Sequence, residues 1–194
     1  YSSAASDVYK RQILAMKTQA PKRQLFLGGA RSGKSSLAEQ AATATGLAVI
    51  YVATAEVHHS EGAGSMAQRV AIHKRRRPNH WRLVEQPLTL SETLFELDQE
   101  PCCVLVDCLT LWLSNHLCTE AADLDALLEQ LIGQVERTQH HLILVSNEVG
   151  SGIVPMGELS RQFQDYSGLM NQQLAKVCDA VTLVVAGLPL HLKP

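Results

Sequence analysis

The stretch Gly28-Gly29-Ala30-Arg31-Ser32-Gly33-Lys34-Ser35 has the form GxxxxGK[ST]. Glycines at such spacing let backbone N–H groups wrap a phosphate with no Cβ in the way, and a helix opening behind them adds a favourable N-terminal dipole. Lys34 is then placed to reach the β- and γ-phosphates of a nucleotide, and the Ser35 hydroxyl to coordinate Mg²⁺. The plain alternative is a glycine-rich turn followed by a chance Lys-Ser. It loses weight because the apolar run Leu25-Phe26-Leu27 precedes the turn and a helical pattern follows it.

A loop of this kind works with a carboxylate delivered to the same sheet edge. Asp107 closes the apolar run Cys103-Val104-Leu105-Val106 and is expected at the end of a neighbouring strand, where it would hold the Mg²⁺ hydration shell. The other reading is an Asp that caps the next helix.

A second chemical stretch is Arg69 to Trp81, in which His73 precedes Lys74-Arg75-Arg76-Arg77, with Glu85 beyond. A neutral imidazole beside fixed positive charge can attack a phosphorus atom, while the cations offset the charge of a departing pyrophosphate. A solvated basic helix end explains the same residues. A nucleic-acid patch is a third reading, but the run lacks interleaved aromatics. Residue chemistry alone leaves these alternatives open.

The elements that must carry these groups alternate. Strands are expected at 25–27, 48–53, 103–107, 142–145 and 181–186, the last being the final clear strand. Helices are expected at 34–44, 66–74, 88–98, 124–138 and 159–177, with 56–65 as a loop. Continuous apolar strands separated by amphipathic helices specify an α/β fold of the P-loop NTPase type, a mostly parallel central sheet with helices on both faces. Asn147 and Glu148 then end a strand at the ligand-binding edge. Arg161 and Asp165, one turn apart, are expected to pair, and Asn171 suits a structural or a binding role.

The 194 residues suit one domain, with 46% hydrophobic and 19% charged residues arguing against disorder. A formal net charge of -2 excludes a globally basic nucleic-acid binder. No apolar run approaches the roughly 20 residues of a membrane span. The five cysteines, Cys102, Cys103, Cys108, Cys118 and Cys178, form no CxxC pair and read as small core residues of a cytoplasmic, reducing setting. Residues 1–15 lack periodicity and read as a non-native or disordered extension, with Met16 as the native start and 16–194 as a single nucleotide-binding catalytic domain.

Further blocks stand out: YVATA at 51–55, VDCLTLWLSN at 106–115, NEVGSGIVP at 147–155, RQFQDYSGLMNQQLA at 161–175 and VVAGLPLHLK at 184–193. Together with GGARSGKS and the R…HK…RP..W…E pattern from Arg69 to Glu85, they cover 25–193. This combination resembles the bifunctional adenosylcobinamide kinase / adenosylcobinamide-phosphate guanylyltransferase family of cobalamin assembly. The resemblance implies phosphorylation of adenosylcobinamide by ATP or GTP, then GMP transfer from GTP through a covalent GMP-histidine. It assigns that histidine to His73 and nucleotide contacts to Gly28 through Ser35, Ala53-Thr54-Ala55, Lys74 through Arg77, Glu85 and Asp107. It also implies a corrinoid substrate and a homotrimer with sites near subunit boundaries. The other seven histidines, the pairs His58-His59 and His140-His141 among them, read as surface or loop residues.

The segment 54–66 departs from the family pattern, which is shorter and carries Asp-x-Glu-Met. Here Gly62-Ala63-Gly64-Ser65 precedes Met66, leaving Glu61 as a substitute or the loop as altered. Two rival functions remain at this point: a guanylyltransferase without kinase activity, and a nucleotide-dependent switch or binding module.

Overall fold

A computed structural model describes residues 21–55, 77–97, 101–119 and 122–194. Its strands are β1 (Arg23–Gly28), β2 (Val49–Ala53), β3 (Arg82–Glu85), β4 (Cys103–Asp107), β5 (His141–Asn147), β6 (Ala180–Val185) and β7 (Leu188–Lys193). Its helices are α1 (Lys34–Ala44), α2 (Leu90–Leu97), α3 (Leu109–Leu117), α4 (Leu124–Arg137) and α5 (Glu158–Val177). The expected loop 56–65 and helix 66–74 lie outside the described residues, as do 1–20.

The strands form one sheet in the order β3-β2-β4-β5-β1-β6-β7. All pairs are parallel except β6 with β7, so the mostly parallel α/β arrangement holds. The central strands are apolar on both sides, as a sheet covered on both faces requires. On one face Phe26, Tyr51, Trp81, Leu105 and Ile143 pack with Ala38 and Ala42 of α1. On the other, Leu25, Val52, Val104 and Leu144 pack under α2 to α5 through Leu94, Leu113, Leu131 and Leu174.

Three elements depart from the expectation. β3 is a short strand whose exposed arginine and glutamate mask its period. α3 follows Asp107 directly, and its run of Leu and Trp shows little amphipathic contrast because several of these residues are buried. β7 extends the sheet past the strand expected to be last. It returns antiparallel through a tight turn at Ala186 (φ 53°) and Gly187 (φ 81°). The left-handed conformation at both turn residues suits a two-residue hairpin.

Asp107 also sits differently from the expectation of adjacent strands. β5 lies between β4 and β1, so one full strand separates the carboxylate from the strand that launches the glycine loop. Arg161 and Asp165 do not pair. The Arg161 guanidinium donates instead to the carbonyls of Pro155 and Met156, closing the turn before α5. Among the described residues the one ion pair is Arg23–Asp179, at 2.8 Å.

Four of the five cysteines are buried, as expected, whereas Cys118 is exposed at the end of α3; none of the five is in a disulfide. His140 lies in the loop before β5, as expected, but is buried there and shares a 2.9 Å hydrogen bond with the Thr138 hydroxyl. His116 lies on α3 with its ring edge-on to Trp112 at 4.9 Å. Among the described residues no helix is long and apolar enough to cross a membrane.

Candidate active site

The glycine loop leaves the end of β1 and enters α1 at Lys34. Only glycine fits its first position, because a Cβ on Gly28 would lie 2.5 Å from both the Val184 carbonyl oxygen and the Ser32 Oγ. Gly33, at φ 97°, adopts the left-handed conformation just before the helix, and its Cβ position lies 3.2 Å from the Gly187 Cα. The β6–β7 turn therefore braces the loop from outside, and the Gly187 N–H donates to the Ser32 carbonyl at 2.8 Å. The sequence pattern recorded the loop but not this brace.

Lys34 is buried, and its ammonium donates to the Gly29 carbonyl at 3.2 Å, folding back across the loop. Burial lowers its pKa from the ordinary lysine value, and the attraction of Cys108 and Asp107 offsets part of that shift. A cation held within the loop is thus partly desolvated and poised for an anionic ligand. Ser35 stands beside it at the start of α1, with Gly28, Gly29, Ala30, Arg31, Ser32 and Gly33 forming the rest of the loop.

Asp107 ends β4 on the same face as α1. Its Oδ2 accepts from the Tyr51 hydroxyl at 3.1 Å. Burial pushes the Tyr51 pKa strongly upward, and the neighbouring Asp107 carboxylate adds to the shift. The phenol therefore stays a donor, fixing one carboxylate oxygen. Arg77 lies over the ring of this tyrosine, its Cζ 5.2 Å from the centroid. The last cation of the basic run is thereby brought to the Asp107 edge; stacking of guanidinium on an aromatic face is favourable in such a setting.

Ala53, Thr54 and Ala55 leave β2 beside Asp107. The Thr54 hydroxyl donates to the Cys108 carbonyl at 2.7 Å, and the Cys108 N–H donates to the Thr54 Oγ1 at 2.9 Å. The Asn115 amide donates to both the Thr54 and Pro87 carbonyls, at 2.9 and 3.0 Å. Glu85 pairs in register with Ala53 at the end of β3. Asn115 thus ties the exits of β2 and β3 to α3. Tyr51 and Asn115 fall within the blocks YVATA and VDCLTLWLSN but carry no expected role there; a polar aromatic inside a strand and an amide in an apolar helix were the available signals.

Burial raises the Cys108 thiol to about 11, with Asp107 adding to the rise; a reactive thiolate is disfavoured there. At the end of β5, the Asn147 amide donates to Thr110 Oγ1 at 2.6 Å, and Glu148 N–H donates to the Gly28 carbonyl at 3.1 Å. The end of β5 is in this way bonded to α3 on one side and to the first residue of the phosphate loop on the other. His73, Lys74, Arg75 and Arg76 lie outside the described residues.

Comparison with known proteins gives this edge a family. The model of cobinamide kinase / cobinamide phosphate guanyltransferase matches residues 24–192. The chain belongs to this family of enzymes. It is 51% identical over 172 residues to the bifunctional adenosylcobalamin biosynthesis protein CobP of Pseudomonas aeruginosa, covering 88% of this chain and 97% of that protein. It is 39% identical over 184 residues to the Escherichia coli bifunctional adenosylcobalamin biosynthesis protein CobU, covering 87% and 98%.

Among solved structures, a Pyrococcus horikoshii protein described as a structural study of Project ID PH0250 matches with TM-score 0.53 and 10% identity, over 93% of this chain and 91% of that one. An ATPase of a bacterial type III secretion system matches with TM-score 0.52 and 10% identity, over 88% and 57%. At that identity the likeness concerns the fold of this cobinamide kinase family member, in which a nucleotide-binding loop meets the carboxyl edge of the sheet.

Proposed function

We propose that the protein phosphorylates adenosylcobinamide with ATP or GTP and then transfers GMP from GTP to the new phosphate. The observation that carries this reading is the convergence of Lys34, Asp107 and Arg77 on one sheet face in a chain of this family. In the first step the corrinoid hydroxyl oxygen attacks the γ-phosphorus, its bond to the β-bridging oxygen breaks, and the hydroxyl proton is lost. Lys34 offsets the charge on the β- and γ-phosphates.

In the second step a ring nitrogen of His73 attacks the α-phosphorus of GTP, and the bond to the departing pyrophosphate breaks. The phosphate oxygen of adenosylcobinamide phosphate then displaces the imidazole, giving adenosylcobinamide-GDP. Splitting the transfer through a P–N bond replaces one difficult displacement with two easier ones. Lys74, Arg75, Arg76 and Arg77 would neutralise the triphosphate, and Ala53, Thr54, Ala55 and Glu85 would border the nucleotide.

A hydroxyl and a carboxylate are hard oxygen donors that suit Mg²⁺, which retains water and phosphate oxygens as its other ligands. Ser35 and Asp107 are the residues that would hold it, and the ion would supply charge neutralisation at the phosphates. Tyr51, by occupying one Asp107 oxygen, orients the other.

A homotrimer belongs to the same proposal. Val185, Leu188 and Leu190 of the β6–β7 hairpin are large, exposed and apolar, as a subunit contact would require. A cytoplasmic setting is supported by cysteines that form no disulfide, and a small-molecule rather than a nucleic-acid partner by the net charge of -2.

The test is intact mass after incubation with GTP and Mg²⁺, alongside His73→Ala. The expected result is a gain of one GMP, labile to mild acid and absent from the variant. A protein that binds GTP yet acquires no adduct would overturn the histidine route and leave a kinase or nucleotide switch. A separate assay of adenosylcobinamide phosphorylation distinguishes the bifunctional enzyme from a guanylyltransferase alone.

A further inference from the structure

On the face opposite α1, a cleft of about 380 Å³ runs between α5 and the strands β1, β6 and β7. Its walls are apolar, with Leu27, Val181 and Leu192 facing α5. Two buried polar residues line it, Ser167 and Asn171. The Ser167 Oγ and the Asn171 Oδ1 have no hydrogen-bond partner. The Asn171 amide nitrogen is already engaged, donating to the Asn147 carbonyl at 3.2 Å, which fixes its oxygen as the free group. A buried hydroxyl and a buried carbonyl oxygen left unbonded cost free energy unless a ligand or water supplies the missing bonds.

The charged groups at this cleft are already engaged. Lys193 donates to the carbonyls of Ala175, Lys176 and Cys178 at the end of α5. The Glu148 carboxylate accepts from the Gly150 N–H at 2.7 Å and the Ser151 hydroxyl at 3.3 Å. What remains is the Asn171 acceptor, the Ser167 hydroxyl, the exposed Gln172 amide at the rim and apolar walls, a set complementary to a neutral primary carboxamide on a short alkyl arm. Both oxygens are almost fully covered in the structure, so the arm would enter with a small outward shift of the α5 side chains, its N–H donating to Asn171 Oδ1 and its carbonyl accepting from Ser167. A phosphate or carboxylate would meet no free cation there. The cleft abuts the phosphate loop: Leu27 immediately precedes Gly28, and Glu148 N–H bonds the Gly28 carbonyl.

We infer that this cleft binds a neutral carboxamide side arm of the corrinoid acceptor, anchoring the macrocycle at the phosphate-loop edge. The inference rests on the proposed corrinoid activity and adds a location and a chemical basis for acceptor binding. A volume of about 380 Å³ takes a fragment of such a ligand and not the whole macrocycle, so the remainder would lie across the open edge.

Gly168 offers a space-filling test. It lines the cleft from α5, and a Cβ there would meet nothing within 4 Å; leucine is also a better helix former than glycine. Gly168→Leu and Ser167→Ala are compared with the unaltered protein for adenosylcobinamide KM in the kinase step, with GTP affinity and assembly mass measured in parallel. Filling the cleft is expected to raise that KM about tenfold or more, and removing the hydroxyl about three- to tenfold, with GTP affinity within about twofold.

An unchanged KM in both variants, with the unaltered protein active, would overturn the cleft assignment while leaving the proposed function standing. A changed assembly mass in Gly168→Leu would overturn it in favour of a subunit contact. Failure of the unaltered protein to turn over adenosylcobinamide, despite GTP binding, would remove both readings.

Discussion

Along the carboxyl edge of the sheet, the β2–β4 side and the β1–β7 side treat their polar groups in opposite ways. Around Asp107 they are bonded to one another: Tyr51 to the carboxylate, Thr54 to Cys108 in both directions, and Asn115 to the exits of β2 and β3. Beside α5, buried Ser167 and Asn171 oxygens have no partner, and the neighbouring hairpin exposes leucines. A site for a highly charged nucleotide needs donors and charges held in place before the ligand arrives. A surface that receives a neutral ligand or another subunit instead keeps apolar area and open hydrogen-bonding capacity. On the proposed reading, the molecule separates a preorganised electrostatic centre from a receptive one across a single sheet.

That contrast can be attacked first at its charged end. Lys34→Ala is expected to lower kinase turnover by about 10²- to 10³-fold, as loss of a preorganised cation at a developing charge does. Its fold should survive, as judged by circular dichroism. Retention of turnover within about threefold would place the phosphate-handling cation elsewhere.

Gly28→Val tests the brace between the loop and the hairpin. Its side chain would meet the Val184 carbonyl, whose oxygen lies 2.5 Å from the ideal Cβ. GTP affinity should fall by about tenfold or more, since a shift of this kind moves the N–H groups that wrap the phosphate. Equilibrium titration with GTP measures it, and wild-type affinity would show that the loop tolerates an unrelated path.

Tyr51→Phe removes one donor from Asp107 and keeps the ring beneath Arg77. A loss of about 1–2 kcal/mol in urea unfolding is expected, in line with a hydrogen bond to a charged acceptor. An unchanged midpoint would mean that water replaces the hydroxyl without cost. The Lys34 and Tyr51 effects together distinguish a centre built for chemistry from one built for stability, because only the first should act chiefly on turnover.

The smallest effect is expected away from both regions, at Arg23–Asp179. Burial raises the Asp179 pKa, but the Arg23 side chain and backbone N–H, which donate to it, outweigh this and hold the carboxyl below its ordinary value of 3.8. The resulting stability is present above that ordinary value and lost as pH falls through the lower folded-state pKa. Because the pair is partly exposed, Asp179→Asn should cost only about 0.5–1 kcal/mol near neutral pH, less at high salt. Urea melts at neutral and acidic pH check this: the difference between the two proteins should shrink on acidification.

Much of the candidate nucleotide site was legible because its requirements are local. The glycines, Lys34 and Ser35 are consecutive, and their strand and helix flank them in the chain; the helix begins and ends where its pattern indicated. β7 was less legible: it is an exposed edge strand, and its Leu-Pro-Leu-His-Leu alternation sits outside any apolar block. Tyr51 was equally obscure, since its partner Asp107 lies 56 positions away. Arg161 illustrates a wrong inference from helical spacing, because nearby carbonyls before α5 captured the guanidinium that i, i+4 geometry would offer to Asp165.

The sequence by itself determined the α/β alternation, the phosphate loop and the apolar strand that delivers Asp107, because backbone conformation and burial follow from residue type over short spans. Only the tertiary structure decided that β5 separates β4 from β1, that the Gly187 turn braces the loop, and that Ser167 and Asn171 face a common cleft. Those relations join residues far apart in the chain. They arise from strand order and the packing of α5 on the sheet, neither of which has a local signature.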